Sequence, residues 1–161
     1  MCASHYVRSK KLNQNRKAMN RDEIMKRLPH RPPMLLVDES YRDGEYVVSS
    51  YTVKEDEFFT RGHFPAYPVV PGVMLCEMMA QASFLLIDEK ELEEQTGMYA
   101  GLKDVKFKNS VFPGDTVCVR SRLLERKGPI VFIEAKASVD DKLCCCGKLS
   151  FVLVDNSKLK R

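Results

Sequence analysis

The chain has 161 residues, 44% of them apolar and 30% charged, which is enough for one domain to bury a core without metal or disulfide staples. Its longest apolar run, Val73 to Ile87, carries Glu77 and Gln81 and falls short of the roughly 18 residues that a membrane span needs; it reads as a buried core helix. The net charge of +4 resides in the first 20 residues, where Arg8, Lys10, Lys11, Arg16 and Lys17 face no acid, so the remainder sums to −1 and gives no electrostatic case for nucleic-acid binding.

Residues 1–20 read as a basic, disordered tail and residues 21–161 as a single domain. The tail has no apolar core of the kind a secretory signal needs. Its basic, acid-free composition also fits an organelle transit peptide, but it is poor in serine and polar throughout, which favours a plain extension. "NRDEIMKRL" then predicts a short helix, with Asn20 and Glu23 at capping-box spacing and Pro29 beyond its end. "PHRPPMLLVDES" predicts entry into an apolar strand over Met34 to Asp38, and "GEYVVSSYTV" a second strand closing near Lys54.

"DEFFTRGHFPAYPVVPG" is a proline-punctuated loop leading into a helix from about Val73 to Asp88. Apolar residues cover every face of that helix, which requires surroundings on all sides. The acidic stretch "DEKELEEQTG" reads as exposed. Four strand candidates follow, "MYAGLKDVKFK", "DTVCVRSRLLER", "PIVFIEAKASV" and "KLCCCGKLSFVLV", separated by the turn signals "PGD", "KGP" and "DDK". Their spacing predicts consecutive antiparallel strands joined by tight turns. One buried helix and about six strands make an α+β domain, and the economical arrangement is the hot-dog fold: a curved antiparallel sheet wrapped around one long buried helix.

Six cysteines stand at 2, 76, 118, 144, 145 and 146 without a Cys-x-x-Cys pair, so no metal site is expected. On a strand Cys144 and Cys146 share a face roughly 6.6 Å apart, unfavourable for bridging. Reduced thiols acting as small hydrophobes are the simpler reading, and they point to a reducing, cytoplasmic setting.

The helix start after "VVPG" is where chemistry is concentrated. Pro71 has no N–H and Gly72 has no side chain, so the Gly72 N–H is the first donor at the positive end of the helix dipole. Such a donor polarises a carbonyl oxygen as negative charge develops. Glu77 is the one charged residue between Gly62 and Ile87, and desolvation predicts a raised pKa and a neutral, proton-donating acid. Gln81 lies one turn on, on the same face, and can orient it. His63 is the candidate base, since an imidazole titrates near neutrality. Acid, base and carbonyl donor together fit elimination of water next to a carbonyl. Spacing leaves open whether His63 and Glu77 meet in one chain or only when two copies associate.

"GHFPAYPVVPGVMLCEMMAQ" resembles the signature of the beta-hydroxyacyl-[acyl-carrier-protein] dehydratases of type II fatty acid synthesis, matching at His63, Phe64, Pro65, Pro68, Val69, Pro71, Gly72, Val73, Glu77, Met79, Ala80 and Gln81. "LPHRPPMLLVD" and "VKFKNSVFPGDTV" look like two further family segments. The resemblance implies the hot-dog fold, with His63 as catalytic imidazole, Glu77 as the acid handling the hydroxyl, and the Gly72 N–H on the thioester carbonyl. It implies dehydration of a (3R)-3-hydroxyacyl chain carried on the phosphopantetheine of acyl carrier protein, with no metal or redox cofactor, no nucleic acid and no membrane. It further implies a homodimer with shared active sites, commonly assembled as a trimer of dimers. Met78 stands where the family usually has alanine, which bears on the acyl tunnel. His30 and Arg31 read as structural residues of a proline-rich turn. Lys106 and Lys108, and Arg120 and Arg122, are either solvated strand faces or docking points for the acidic carrier. Two rival functions use the same features: a hot-dog acyl thioesterase, and a non-catalytic acyl-carrier-binding subunit.

Overall fold

The computed structural model describes residues 18–159. Asn20 opens α1 (Arg21–Arg27): its side chain accepts from the Glu23 N–H at 3.0 Å, and the Glu23 carboxylate accepts from the Asn20 N–H at 2.9 Å. Each satisfies a donor that the first helical turn leaves open. Met19 and Ser40 exchange two backbone hydrogen bonds, so the domain begins slightly before the expected boundary. The rest of the predicted tail, residues 1–17, lies outside the described residues.

The apolar run Leu35, Leu36 and Val37 is buried as expected but forms no strand. The Leu36 N–H donates to the Gln81 side chain at 2.8 Å instead of to a neighbouring strand, so the segment lies along the central helix and sheet pairing starts only at β1 (Glu39–Asp43). Gly44, with φ 62°, turns the chain into β2 (Tyr46–Thr52). The central helix, α2, spans Gly72–Phe84. It ends a turn earlier than predicted because the Leu86 and Ile87 N–H groups take carbonyls three residues back. Asp88 then caps a short helix in the acidic stretch, α3 (Glu89–Glu94), accepting from the Lys90 N–H at 2.9 Å.

The long strands β3 (Gln95–Phe107), β4 (Thr116–Lys127), β5 (Ile130–Val139) and β6 (Lys142–Asp155) complete a six-stranded antiparallel sheet of order β1-β2-β4-β5-β6-β3. The tight turns are found where "KGP" and "DDK" put them. Gly128 has φ 58°, and Asp140 and Asp141 have φ 44° and 66°, the double positive φ that matches hairpin twist. Strand β3 departs from the expected meander. It pairs with β6, and the Pro-Gly-Asp connection carries the chain across the sheet to β4.

Alternate residues of β4, β5 and β6 face α2, among them Val117, Val119, Ile133, Ala135, Leu149 and Phe151, all buried. Cys145 joins that inward row, Cys144 is also buried, and every cysteine among the described residues is a free thiol. Met78 is packed in the core, so its bulk is absorbed by the sheet side of the helix. The helix is not enclosed all round within one chain: Val73 is 70% exposed. Strand β3 forms one edge of the sheet and has no buried residue along its 13 positions.

At Gly97 on β3, an added Cβ would lie 1.9 Å from the Phe84 ring. That ring is buried and packs on Phe151 with centroids 4.6 Å apart. Gly97→Ala is therefore expected to cost about 1–3 kcal/mol of unfolding free energy through overpacking, read by urea denaturation at fixed protein concentration. An unchanged midpoint would show that the ring has room to move.

Candidate active site

The loop between β2 and α2 owes its shape to proline. Pro65, Pro68 and Pro71 remove donors and fix φ, and Phe64 is held at φ 58°. A hydrogen bond from the Val70 N–H to the Val111 carbonyl, 2.8 Å, pins the end of the loop to the β3–β4 connection. His63 Nδ1 sits 2.9 Å from the Val69 carbonyl oxygen. A carbonyl only accepts, so Nδ1 carries the ring proton in the neutral imidazole and Nε2 presents a free lone pair. That is the tautomer a base requires.

His63 lines a cleft of about 490 Å³ together with Val69, Gly72, Phe107, Lys108 and Ser110. Gly72 is the first residue of α2, and Pro71 before it supplies no side-chain cap; the Met74 N–H donates to the Pro71 carbonyl at 2.9 Å, which leaves the Gly72 N–H, at the helix start, as a donor for a ligand. An added Cβ at Gly72 would meet the Phe107 ring at 2.8 Å; glycine here permits the close approach that shapes the cleft.

Glu77 projects from the second turn of α2, half-buried, and its Oε1 accepts from Gln81 Nε2 at 2.9 Å. Gln81 is fully buried and held at both ends of its amide: Nε2 also donates to the Met34 carbonyl at 2.7 Å, and Oε1 accepts from the Leu36 N–H at 2.8 Å. A second group approaches that was read as structural: His30 Nε2 lies 3.4 Å from Glu77 Oε1. Burial is the largest influence on Glu77 and pushes its pKa up, but the hydrogen bonds from His30 and Gln81, with the His30 charge, outweigh it and hold the carboxyl below its ordinary value. The predicted raised pKa is thereby overturned. Desolvation acts as expected; the donors that defeat it are distant in sequence. Tyr99, from β3, donates to the Cys76 carbonyl at 2.7 Å, and burial together with the Glu77 charge pushes its pKa up.

Among the described residues, the polar partners of Glu77 are Gln81 and His30, and His63 meets the Val69 carbonyl. Glu77 is not among the residues lining the His63 cleft. Arg31 donates to the Leu28 and His30 carbonyls, the structural role expected of it. Arg120 pairs with Asp43 and stacks on Tyr46, and Arg122 pairs with Glu134 and Glu45. These two arginines are occupied, whereas Lys106 and Lys108 are exposed and Lys108 lies on the cleft wall. No group of three or more potential ligands could hold a metal among the described residues, and no helix there is long and apolar enough to cross a membrane.

The FabA-like domain family matches residues 28–148, a span that includes His30, His63, Gly72, Glu77 and Gln81. The chain is 43% identical over 138 residues to the 3-hydroxyacyl-[acyl-carrier-protein] dehydratase FabZ of Lactococcus lactis subsp. cremoris (strain SK11), covering 84% of this chain and 95% of that protein. It is 42% identical over 137 residues to FabZ of Clostridium perfringens (strain SM101 / Type A), covering 84% and 99%. Among solved structures, the dehydratase heterocomplex ApeI:P from Xenorhabdus doucetiae superposes with a TM-score of 0.71 at 21% identity, over 84% of this chain and 93% of that one. A mutant of the fluoroacetyl-CoA-specific thioesterase FlK follows with a TM-score of 0.64 at 17% identity, over 74% and 99%. These two likenesses establish the hot-dog fold alone. With the family match over most of the chain and curated relatives above 40% identity, this protein belongs to the FabA-like family of 3-hydroxyacyl-[acyl-carrier-protein] dehydratases.

Proposed function

We propose that the chain dehydrates (3R)-3-hydroxyacyl-[acyl-carrier-protein] to the trans-2-enoyl thioester and water, as a cytoplasmic enzyme of fatty acid biosynthesis. The observation that carries this reading is the bond from His63 Nδ1 to the Val69 carbonyl, which leaves Nε2 unprotonated in a cleft headed by the Gly72 N–H. In the reaction, Nε2 takes the proton from the carbon next to the thioester carbonyl. The electrons of that C–H bond form the new double bond while the C–O bond at the third carbon breaks. Glu77, entering as the neutral acid, gives its proton to the departing hydroxyl, which leaves as water. The Gly72 N–H stabilises the enolate-like oxygen, a donor contribution of roughly 3 kcal/mol. Hydration runs the same path backwards, with the Glu77 carboxylate as base and protonated His63 as acid. The carboxylate favoured by its neighbours is thus the resting form, and dehydration draws on the minor, protonated one. No metal or redox cofactor enters these steps.

The working unit in this reading is a homodimer in which His63 of one copy meets Glu77 of the other, with a trimer of dimers as the larger assembly. Three features support it. The two groups have separate surroundings in one chain, the 13-residue β3 is an unpaired edge with Met98, Tyr99 and Leu102 exposed, and Val73 at the start of α2 is uncovered. A long apolar edge of this kind pairs readily with another chain. Lys106 and Lys108 suit docking of the acidic carrier protein at the cleft, so that phosphopantetheine delivers the thioester.

Assay on crotonyl thioester distinguishes the rivals: the dehydratase adds water to the double bond, a thioesterase liberates free thiol, and a binding subunit does neither. His63→Ala and Glu77→Gln are each expected to lower turnover at least about a hundredfold while remaining folded. Near-parental rates in either variant would remove that residue from the chemistry. Mixing the two inactive variants should restore part of the activity if sites are shared between copies; no recovery after demonstrated subunit exchange would place both groups in one chain.

A further inference from the structure

Among the described residues, three buried side-chain polar atoms lack any hydrogen-bond partner, Ser121 Oγ and the pair Arg27 Nε and His30 Nδ1, and His30 is the residue that approaches Glu77. Arg27 and His30 line the same small cavity, about 10 Å³, walled by Leu28, Pro29, Phe84 and Gly97. That space is of the order needed for one water. Arg27 is fixed in place, since Nη2 donates to the Ile87 carbonyl at 2.8 Å and Nη1 approaches Met19 Sδ at 3.8 Å. Its Nε is a donor under all conditions, whereas an imidazole nitrogen is a donor or an acceptor according to tautomer.

We infer that this cavity binds a single water that accepts from Arg27 Nε–H and donates to His30 Nδ1, so that His30 carries its proton on Nε2 and serves as a positioning residue for Glu77. The arrangement satisfies both orphaned atoms at once and is the one in which His30 Nε2, 3.4 Å from Glu77 Oε1, has a proton to offer. The water can accept twice and so accommodates either tautomer; the choice is made at Glu77, where the opposite tautomer would set the Nε2 lone pair against the carboxylate. His63 and His30 then use opposite tautomers for opposite purposes. A carbonyl on Nδ1 frees His63 Nε2 to take a proton, and a water on Nδ1 arms His30 Nε2 to give a hydrogen bond.

This rests on the dehydratase reading only for its kinetic consequences. The groups facing Glu77 are His30 from the N-terminal turn, Cys76 and Gln81 from its own helix, and Tyr99 from β3. Arg31 is turned away to the Leu28 and His30 carbonyls. Removal of His30 takes away the hydrogen bond that a neutral Nε2–H gives Glu77 and leaves burial opposed by Gln81. The Glu77 titration must then move upward.

The experiment uses the full-length protein. Nitrogen-15 NMR of the imidazoles reads the His30 tautomer, and carbon-13 NMR reads the Glu77 titration in the parent, His30→Ala and His30→Gln. The expected results are an Nε2–H tautomer for His30, an upward shift of the Glu77 titration in His30→Ala, and substantial restoration in His30→Gln, whose amide puts a donor near the Nε2 position. In turnover, His30→Ala should lower kcat about tenfold or more with little change in KM, and the acidic limb of its kcat/KM profile should move to higher pH. If His30→Ala does not fold, Arg27→Lys, which keeps the charge and loses the Nε donor, is read by the same two spectra and should weaken the preference for the Nε2–H tautomer. An Nδ1–H tautomer in the parent, or a Glu77 titration unmoved by His30→Ala, overturns the inference. Both readouts stand even if the protein dehydrates nothing, so failure of the positioning role and failure of the dehydratase reading are told apart.

Discussion

One amide underlies the organisation of this protein. Gln81 is buried on the central helix, and its three hydrogen bonds join the helix to the backbone at Met34 and Leu36 and to the Glu77 carboxylate. A buried amide left with open valences is costly, and a buried carboxylate without donors more so. Each solves the other's problem. The same contacts explain why the N-terminal apolar segment crosses the helix instead of joining the sheet, since its Leu36 N–H is already taken. Fold and site are therefore coupled at one side chain: the residue that holds the N-terminal segment in place also aims the acid.

A second coupling joins the loop and the helix start. The prolines that shape the segment from Pro65 to Pro71 bring the Val69 carbonyl to His63, and the last of them leaves the Gly72 N–H as the first donor of α2. The imidazole of His63 and the helix-start N–H of Gly72 are thus set by a single stretch of backbone, and the reaction proposed for them does not depend on a flexible side chain to place them. Glu77 is governed from elsewhere, by the turn containing His30. The two groups therefore have independent supports within one chain, as the proposed shared site requires.

Much of this was legible in the residues, for identifiable reasons. Local signals held: the capping box at Asn20 and Glu23, the turns at Lys-Gly-Pro and Asp-Asp-Lys, and a helix start within one residue of Val73. Errors arose where a distant partner decided the outcome. The Met34–Asp38 run has strand-like composition, yet Gln81 claims its backbone. β3 has the appearance of one more strand of a meander, yet pairs with β6. Glu77 looks like a desolvated acid because apolar neighbours are visible in sequence and the imidazole of His30 is not. His30 itself gave only the signal of a histidine among prolines, which a simple turn explains equally well.

The hold on His63 has an evolutionary consequence. Its partner is a main-chain oxygen, and no substitution at position 69 deletes a main-chain oxygen, while Val69 is itself one of the residues lining the cleft. If the cleft holds the acyl chain as proposed, variation there would remodel which chains fit without disturbing the hold on His63. In the proposed reaction, fit and reactivity would then be carried by different parts of the same residue, and a lineage could retune the first while inheriting the second intact.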